Sequence, residues 1–403
     1  MRNKRRIVDI VILFEVLILI VAVVFSAVSA FMGSDEETIV YTARETTTQE
    51  AESEEESEEE TSEEEGVPDT YEEDRLEFSD EVEELLASLT TEQLAAQLFI
   101  TTPEELTGVS DVEVAGSATR SSLEDIPVAG LIYSSSNFSG QSQTRNLLSG
   151  TQEFSQDIIG LDLFLIVEEI GGSASPVADE NGYTVQSSPY DLAQDGDADA
   201  VSDAASARAE YLTDEGFNMV LGPVADAASE EDSDINEFCY GTDLDLAAEY
   251  VAADITAVQA GGISSILQAF PGLGSAAEDY SVFEAAIEAG VSVIQVGSIA
   301  SADVTEDDEL PCCLSAGSAQ MLRESYGFTG ILMSADLSGE DIAALYDVGE
   351  AAVKAVQSGM NLLYVTDGLE DAYNAVLEAI ESGEITETML ENAVGRILTE
   401  KLS

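Results

Sequence analysis

The 403-residue chain has no histidine and no tryptophan, and it carries 13 lysines and arginines against 82 aspartates and glutamates. Without histidine it lacks the usual proton shuttle near neutral pH and the commonest zinc ligand. With so few cations, and a formal net charge of −69, its surface repels phosphate backbones and anionic headgroups. No nucleic-acid partner is therefore expected. Cysteine is scarce as well, with only Cys239, Cys312 and Cys313. An odd number with one adjacent pair makes no disulfide framework, and no C-x-x-C spacing suggests a metal site. No cofactor is expected.

What is present is enough for a sizeable core, since apolar residues make up 45% of the chain, an ordinary globular share. Arg2, Lys4, Arg5 and Arg6 precede an apolar run over residues 7–32 that only Asp9 and Glu15 interrupt. A helix over residues 7–28 would be roughly 33 Å long, enough to cross a hydrocarbon core. Basic residues before it and acidic ones after it predict an N-terminus inside and the rest of the chain outside. Residues 1–32 thus read as a single-pass membrane anchor. A cleaved signal peptide ending at Val28-Ser29-Ala30, giving a secreted protein, is the alternative. Residues 33–79 are dominated by Glu, Ser and Thr. Such a stretch buries too little apolar surface to offset its ordering entropy, so a disordered acidic linker is expected there.

From residue 80 to 403, short apolar runs alternate with amphipathic stretches. The runs fall at 97–100, 128–133, 163–168, 219–224, 263–270, 291–296, 330–334 and 361–365, with helices expected at 245–260, 276–289, 316–326 and 341–358. Continuously apolar strands separated by helices argue for a parallel sheet covered on both faces. Eight such units fit an α/β fold of the (β/α)8 TIM-barrel type, with a doubly wound open sheet as the alternative. Function in a barrel sits at the C-terminal strand ends. Those ends read Glu168-Glu169, Asp226, Gln268-Ala269, Ser298, Ser334-Ala335-Asp336 and Asp367. Several carboxylates gather there without a cation, which suits either paired-carboxylate glycosidase chemistry or solvated loop acids.

Several segments, taken in order, resemble the N-terminal catalytic domain of family 3 glycoside hydrolases, in particular the single-domain bacterial β-N-acetylhexosaminidases. Leu89 to Phe99 resembles M-T-x-E-E-K-I-G-Q-L-F, and Gly130-Leu131-Ile132-Tyr133 with Asn137 resembles G-x-I-L-F-x-R-N. Gly222-Pro223-Val224-Ala225-Asp226 resembles A-P-V-x-D, and Phe270-Pro271-Gly272 is the centre of K-H-F-P-G-H-G. Ala355 to Leu363 resembles A-V-x-A-G-x-D-M-L. The resemblance implies the barrel, hydrolysis of O-glycosyl bonds, and a carbohydrate or peptidoglycan fragment as ligand. It places Asp226 and Gln268 among the substrate-binding positions.

The motifs that carry the family's chemistry are altered. Its nucleophile is the first Asp of G-x-x-x-S-D-D-L, where this chain reads Gly330-Ile331-Leu332-Met333-Ser334-Ala335-Asp336-Leu337. Alanine stands where the attacking carboxylate belongs. Successive strand residues point to opposite sides, so Asp336 is no automatic substitute. The Lys and His of the K-H-F-P-G-H-G loop are Gln268 and Ala269. The Asp-Ser-His that supplies the family's proton donor has no counterpart in Ser275 to Tyr280. V-D-Q-E-G-G has become Val167-Glu168-Glu169-Ile170-Gly171-Gly172, and the Arg expected after the glycines is Ser173. Together these changes predict a catalytically impaired barrel that binds a ligand or a protein partner at the cell surface. The alternatives are a working β-glycosidase with reassigned carboxylates, and a structural spacer. In the working version Asp336 is the nucleophile, and Glu168, Glu169 or Asp279 the acid.

Overall fold

The computed structural model describes residues 67–403 apart from 69, 196, 229–234 and 274–278. The expected anchor and most of the acidic linker lie outside the described residues. Among the described residues no helix is long and apolar enough to cross a membrane.

Eight parallel strands close into a barrel in sequence order. They are β1 (Phe99–Thr101), β2 (Gly130–Tyr133), β3 (Phe164–Glu168), β4 (Met219–Val224), β5 (Ser264–Phe270), β6 (Val293–Val296), β7 (Ile331–Asp336) and β8 (Leu362–Tyr364). Each expected run overlaps one of them, with β1 and β7 extending one and two residues past the runs at 97–100 and 330–334, and the closed order rules out the open-sheet alternative. Phe99 pairs with Leu363 and Ile100 with Tyr364, so β8 returns to β1. Nearly every strand residue is buried, as expected where helices cover the outside and side chains fill the inside. Gly130 starts β2 because a Cβ there would lie 2.6 Å from atoms of Phe164 on β3.

The helices begin where the sequence offers caps. Thr90 and Gln93 form a capping box at the first turn of Thr91–Ala96, and Asp243 accepts from Leu246 N at the start of Leu244–Ala260. These side chains satisfy amide groups that the first turn leaves unpaired. The helix expected at 276–289 starts at Ser281, and part of the expected span lies outside the described residues. Helices Ala198–Glu215 and Leu244–Ala260 enclose a fully buried ion pair. Arg208 Nη2 lies 2.6 Å from Asp254 Oδ1, and Tyr240 donates its hydroxyl to Asp254 Oδ2 at 2.5 Å.

The folded unit starts earlier than composition suggests, which corrects the linker boundary at residue 79. Tyr71 N donates to Gln357 O at 2.8 Å, Leu76 N to Asn392 Oδ1 at 2.8 Å, and Asn392 Nδ2 to Asp74 O at 3.0 Å. The Phe78 ring fills the space beside Gly395, where a Cβ would meet it at 2.2 Å. This strap lies against Glu387–Lys401, the last helix, at the base of the barrel. A few apolar side chains and paired amides hold it despite its acidic composition.

Candidate active site at the barrel mouth

The mouth is formed by the C-terminal ends of the strands. On β7 the pairing with β8 slips between Met333 and Asp336. Ser334 fills the gap, accepting from Tyr364 N at 3.0 Å and donating to Ala335 O at 2.7 Å. Ala335 is half-buried, and its methyl group packs against the core. Beneath it lies the Cys313 thiol, which burial pushes up to about 12. That thiol is therefore no nucleophile near neutral pH.

Asp336 is occupied by its own loops. Oδ1 accepts from Ser338 N at 3.0 Å, Ser338 Oγ at 2.6 Å and Thr366 N at 3.2 Å, and Oδ2 accepts from Thr366 Oγ1 at 2.5 Å. Four donors on one carboxylate join the loop after β7 to the loop after β8. Attack from this group would require breaking bonds that hold both loops.

Glu168 and Glu169 are neighbours in sequence with opposite fates, as the period of two in a strand requires. Glu168 ends β3 and opens on water. The surrounding strand ends still raise its carboxyl above the ordinary value, against a hydrogen bond from Gln268. Glu169 is fully buried and accepts from Val177 N at 2.7 Å, Ala178 N at 3.1 Å and Tyr211 Oη at 2.8 Å. Burial pushes it up to about 7 against those donors. It anchors the first turn of Pro176–Asn181 and does not face the mouth, which argues against it as the proton donor.

The structure brings Glu168 and Gln268 together at the mouth. Asp226 is nearly buried and accepts from Leu273 N at 2.5 Å, tying the β4 loop to the β5 loop. Asp279 is apart from this group in its bonding. It is exposed and accepts from Ser281 N at 2.8 Å, which lowers its carboxyl below the ordinary range. It lies just before the helix Ser281–Glu288 and accepts from that helix's first amide, an arrangement that favours the ionised form and not a proton donor at neutral pH.

Two further residues belong to the mouth and were missed by reading motifs alone. Burial raises the Tyr364 hydroxyl well above the ordinary tyrosine value, reinforced by the Asp336 and Glu168 carboxylates. Its place two residues beyond Leu362 on an alternating strand was the available signal. Glu237 reaches the β3 loop, where Oε1 accepts from Ser173 N at 2.7 Å and Oε2 from Ser173 Oγ at 2.9 Å. Nothing in the spacing of residues 173 and 237 announces that contact.

A retaining mechanism needs a carboxylate nucleophile and a second carboxyl as acid and base. Here the position at the end of β7 holds a methyl group, the adjacent carboxylate is saturated, and Glu168 remains open. The arrangement can accept hydroxyl or amine donors, and among the described strand-end residues Glu168 is the carboxylate that stays open to water.

The comparisons with known proteins fit this scaffold. The family model described as Glycosyl hydrolase family 3 N terminal domain matches residues 94–281 and 276–400. The chain is 25% identical over 347 residues to a Beta-N-acetylglucosaminidase/beta-glucosidase of Cellulomonas fimi, covering 79% of this chain and 58% of that protein. It is 26% identical over 270 residues to the Beta-hexosaminidase LpqI of Mycobacterium tuberculosis, covering 60% of this chain and 68% of LpqI. A family 3 β-N-acetylglucosaminidase structure from Paenibacillus sp. str. FPU-7 superposes with a TM-score of 0.69 at 27% identity, over 78% of this chain and 62% of that one. The chain therefore spans less than two thirds of the Cellulomonas and Paenibacillus proteins. With the matched segments covering most of its length, this chain belongs to the family of the glycosyl hydrolase family 3 N-terminal domain.

Proposed function

We propose that this barrel has kept the family's fold and given up its hydrolysis. It binds a saccharide or cell-wall fragment at its mouth, outside the cytoplasm, on a chain held by its N-terminal membrane segment. The observation that carries the reading is Ala335 at the end of β7, beside an Asp336 whose oxygens accept four hydrogen bonds. A positioned general acid alone is worth roughly 10²–10⁴-fold in rate, and this mouth lacks the family's acid as well as its nucleophile. Saccharide binding is supported by the names of the relatives and by Glu168, which stays open to water beside Gln268. The apolar run after Arg2, Lys4, Arg5 and Arg6 supports the location.

The test is a sensitive hydrolysis assay of the full chain on aryl N-acetyl-β-glucosaminide and aryl β-glucoside, with Asp336→Asn and Glu168→Gln alongside. The expected result is no turnover above buffer in any of the three. Turnover by the unaltered chain that disappears in Asp336→Asn would instead establish a working glycosidase with a relocated nucleophile.

A further inference from the structure

Where the strap crosses the base of the barrel, a cleft of about 30 Å³ is lined by Tyr71, Glu73, Arg323, Asn361, Asn392 and Arg396, among others. The two arginines are built into the fold. Arg323 gives Nη1 to Phe328 O at 2.8 Å and to Gly330 O at 2.7 Å, and Nη2 to Asn361 Oδ1 at 2.9 Å. Arg396 gives Nε to Thr329 O at 3.2 Å and Nη2 to Glu73 Oε1 at 2.7 Å.

Glu73 pairs with Arg396, so among the lining residues the guanidiniums outnumber the carboxylates by one. Burial, and then the nearby Arg396, pull Arg323 down to about 9, with Glu73 and the Tyr71 phenol opposing. Arg323 stays cationic at neutral pH. A partly dry, unmatched charge is costly unless another group compensates it. Neither Arg396 Nη1 nor Arg323 Nε donates a hydrogen bond to another described residue.

We propose that this cleft is a binding site for one small monovalent anion of chloride's size, held between Arg323 and Arg396. That volume exceeds the ~10–15 Å³ that one bound water needs, so the cleft has room for a compact anion such as a halide. The bound anion completes the charge balance that Glu73 meets only in part. Because Glu73 and Tyr71 belong to the strap, the anion also fastens the strap to the last helix.

The test compares thermal unfolding of the full-length chain in sodium chloride and in sodium gluconate. Equal ionic strength holds general screening of its negative charge constant. Chloride should raise the midpoint saturably, by about 2–4 °C, and sulfate should not replace it. Glu73→Gln removes the competing carboxylate and should enlarge the chloride effect, whereas Arg396→Gln should abolish it. Should Arg396→Gln fail to fold, crystals of the unaltered chain grown in bromide decide the matter, with an anomalous peak expected between the two guanidiniums. Equal midpoints in chloride and gluconate with no bromide peak in the cleft would overturn the proposal. So would a chloride effect that persists undiminished in a folded Arg396→Gln.

Discussion

At its base the barrel spends scarce cations on structure, and at its mouth it has none among the strand-end residues. Arg323 gathers carbonyls from the turn before β7 and the Asn361 amide before β8, while Arg396 holds the strap through Glu73. Lys401, from the last helix, reaches Ala129 O at 2.8 Å and sits 4.8 Å from the centre of the Phe164 ring. At the mouth, Asp336, Asp226 and Glu237 are tied to hydroxyls and backbone amides. The difference teaches that barrel closure and barrel chemistry rest on separate sets of residues. The first set is present here, and at one position of the second this chain has Ala335.

That comparison can be broken or sharpened by substitution. The largest effect should come from Asp254→Ala, which strands Arg208 as a buried charge without its counter-ion. A loss of about 3–5 kcal/mol is expected, measured by urea unfolding. A loss below 1 kcal/mol would show that the buried pair contributes little to the scaffold.

At the mouth, Asp336→Ala leaves the Ser338 and Thr366 donors without their acceptor. The expected cost is about 1–3 kcal/mol, with no change in hydrolysis. If stability is unchanged, Asp336 is not the structural group described here, and a chemical role regains ground.

A further effect concerns pH. Glu169 is raised to about 7 in the folded chain from an ordinary value of 4.5. The folded state therefore holds the proton more tightly than the unfolded state. Its contribution to stability is fully present below pH 4.5 and is lost as pH rises through 7. Glu169→Gln should flatten the stability profile across that window, by no more than about 1.4 kcal/mol per pH unit. Unfolding midpoints from pH 4.5 to 8 would show an unaltered slope if Glu169 does not titrate there.

Much of the scaffold was legible because strand runs such as 163–168 and 219–224 must be apolar on both faces, whatever the protein does. The alanine at residue 335 was legible as a departure from the motif for a similar reason, since a strand end fixes one side chain per position. The strap was hidden by its composition. Glu72, Glu73 and Asp74 look like more of the acidic linker, and only Arg396, more than 300 residues away, gives Glu73 its place. The division between Glu168 and Glu169 was half legible. Alternation separates them, but the donors that claim Glu169 come from residues 177, 178 and 211. The bond between Ser173 and Glu237 depends on two loops meeting and left no mark in local sequence.

That last contact bears on reversibility. A long cation restored at residue 173 would meet the Glu237 carboxylate before it met any sugar, because a Cβ on the adjacent Gly172 would already lie 2.3 Å from Glu237 Oε1. An aspartate restored at residue 335 would likewise enter a loop already organised around Asp336. Each neighbour has taken up the space and bonding that a returning residue would need. Under the proposed function, a single substitution toward the family motif would therefore supply no hydrolysis, and several simultaneous changes would be needed.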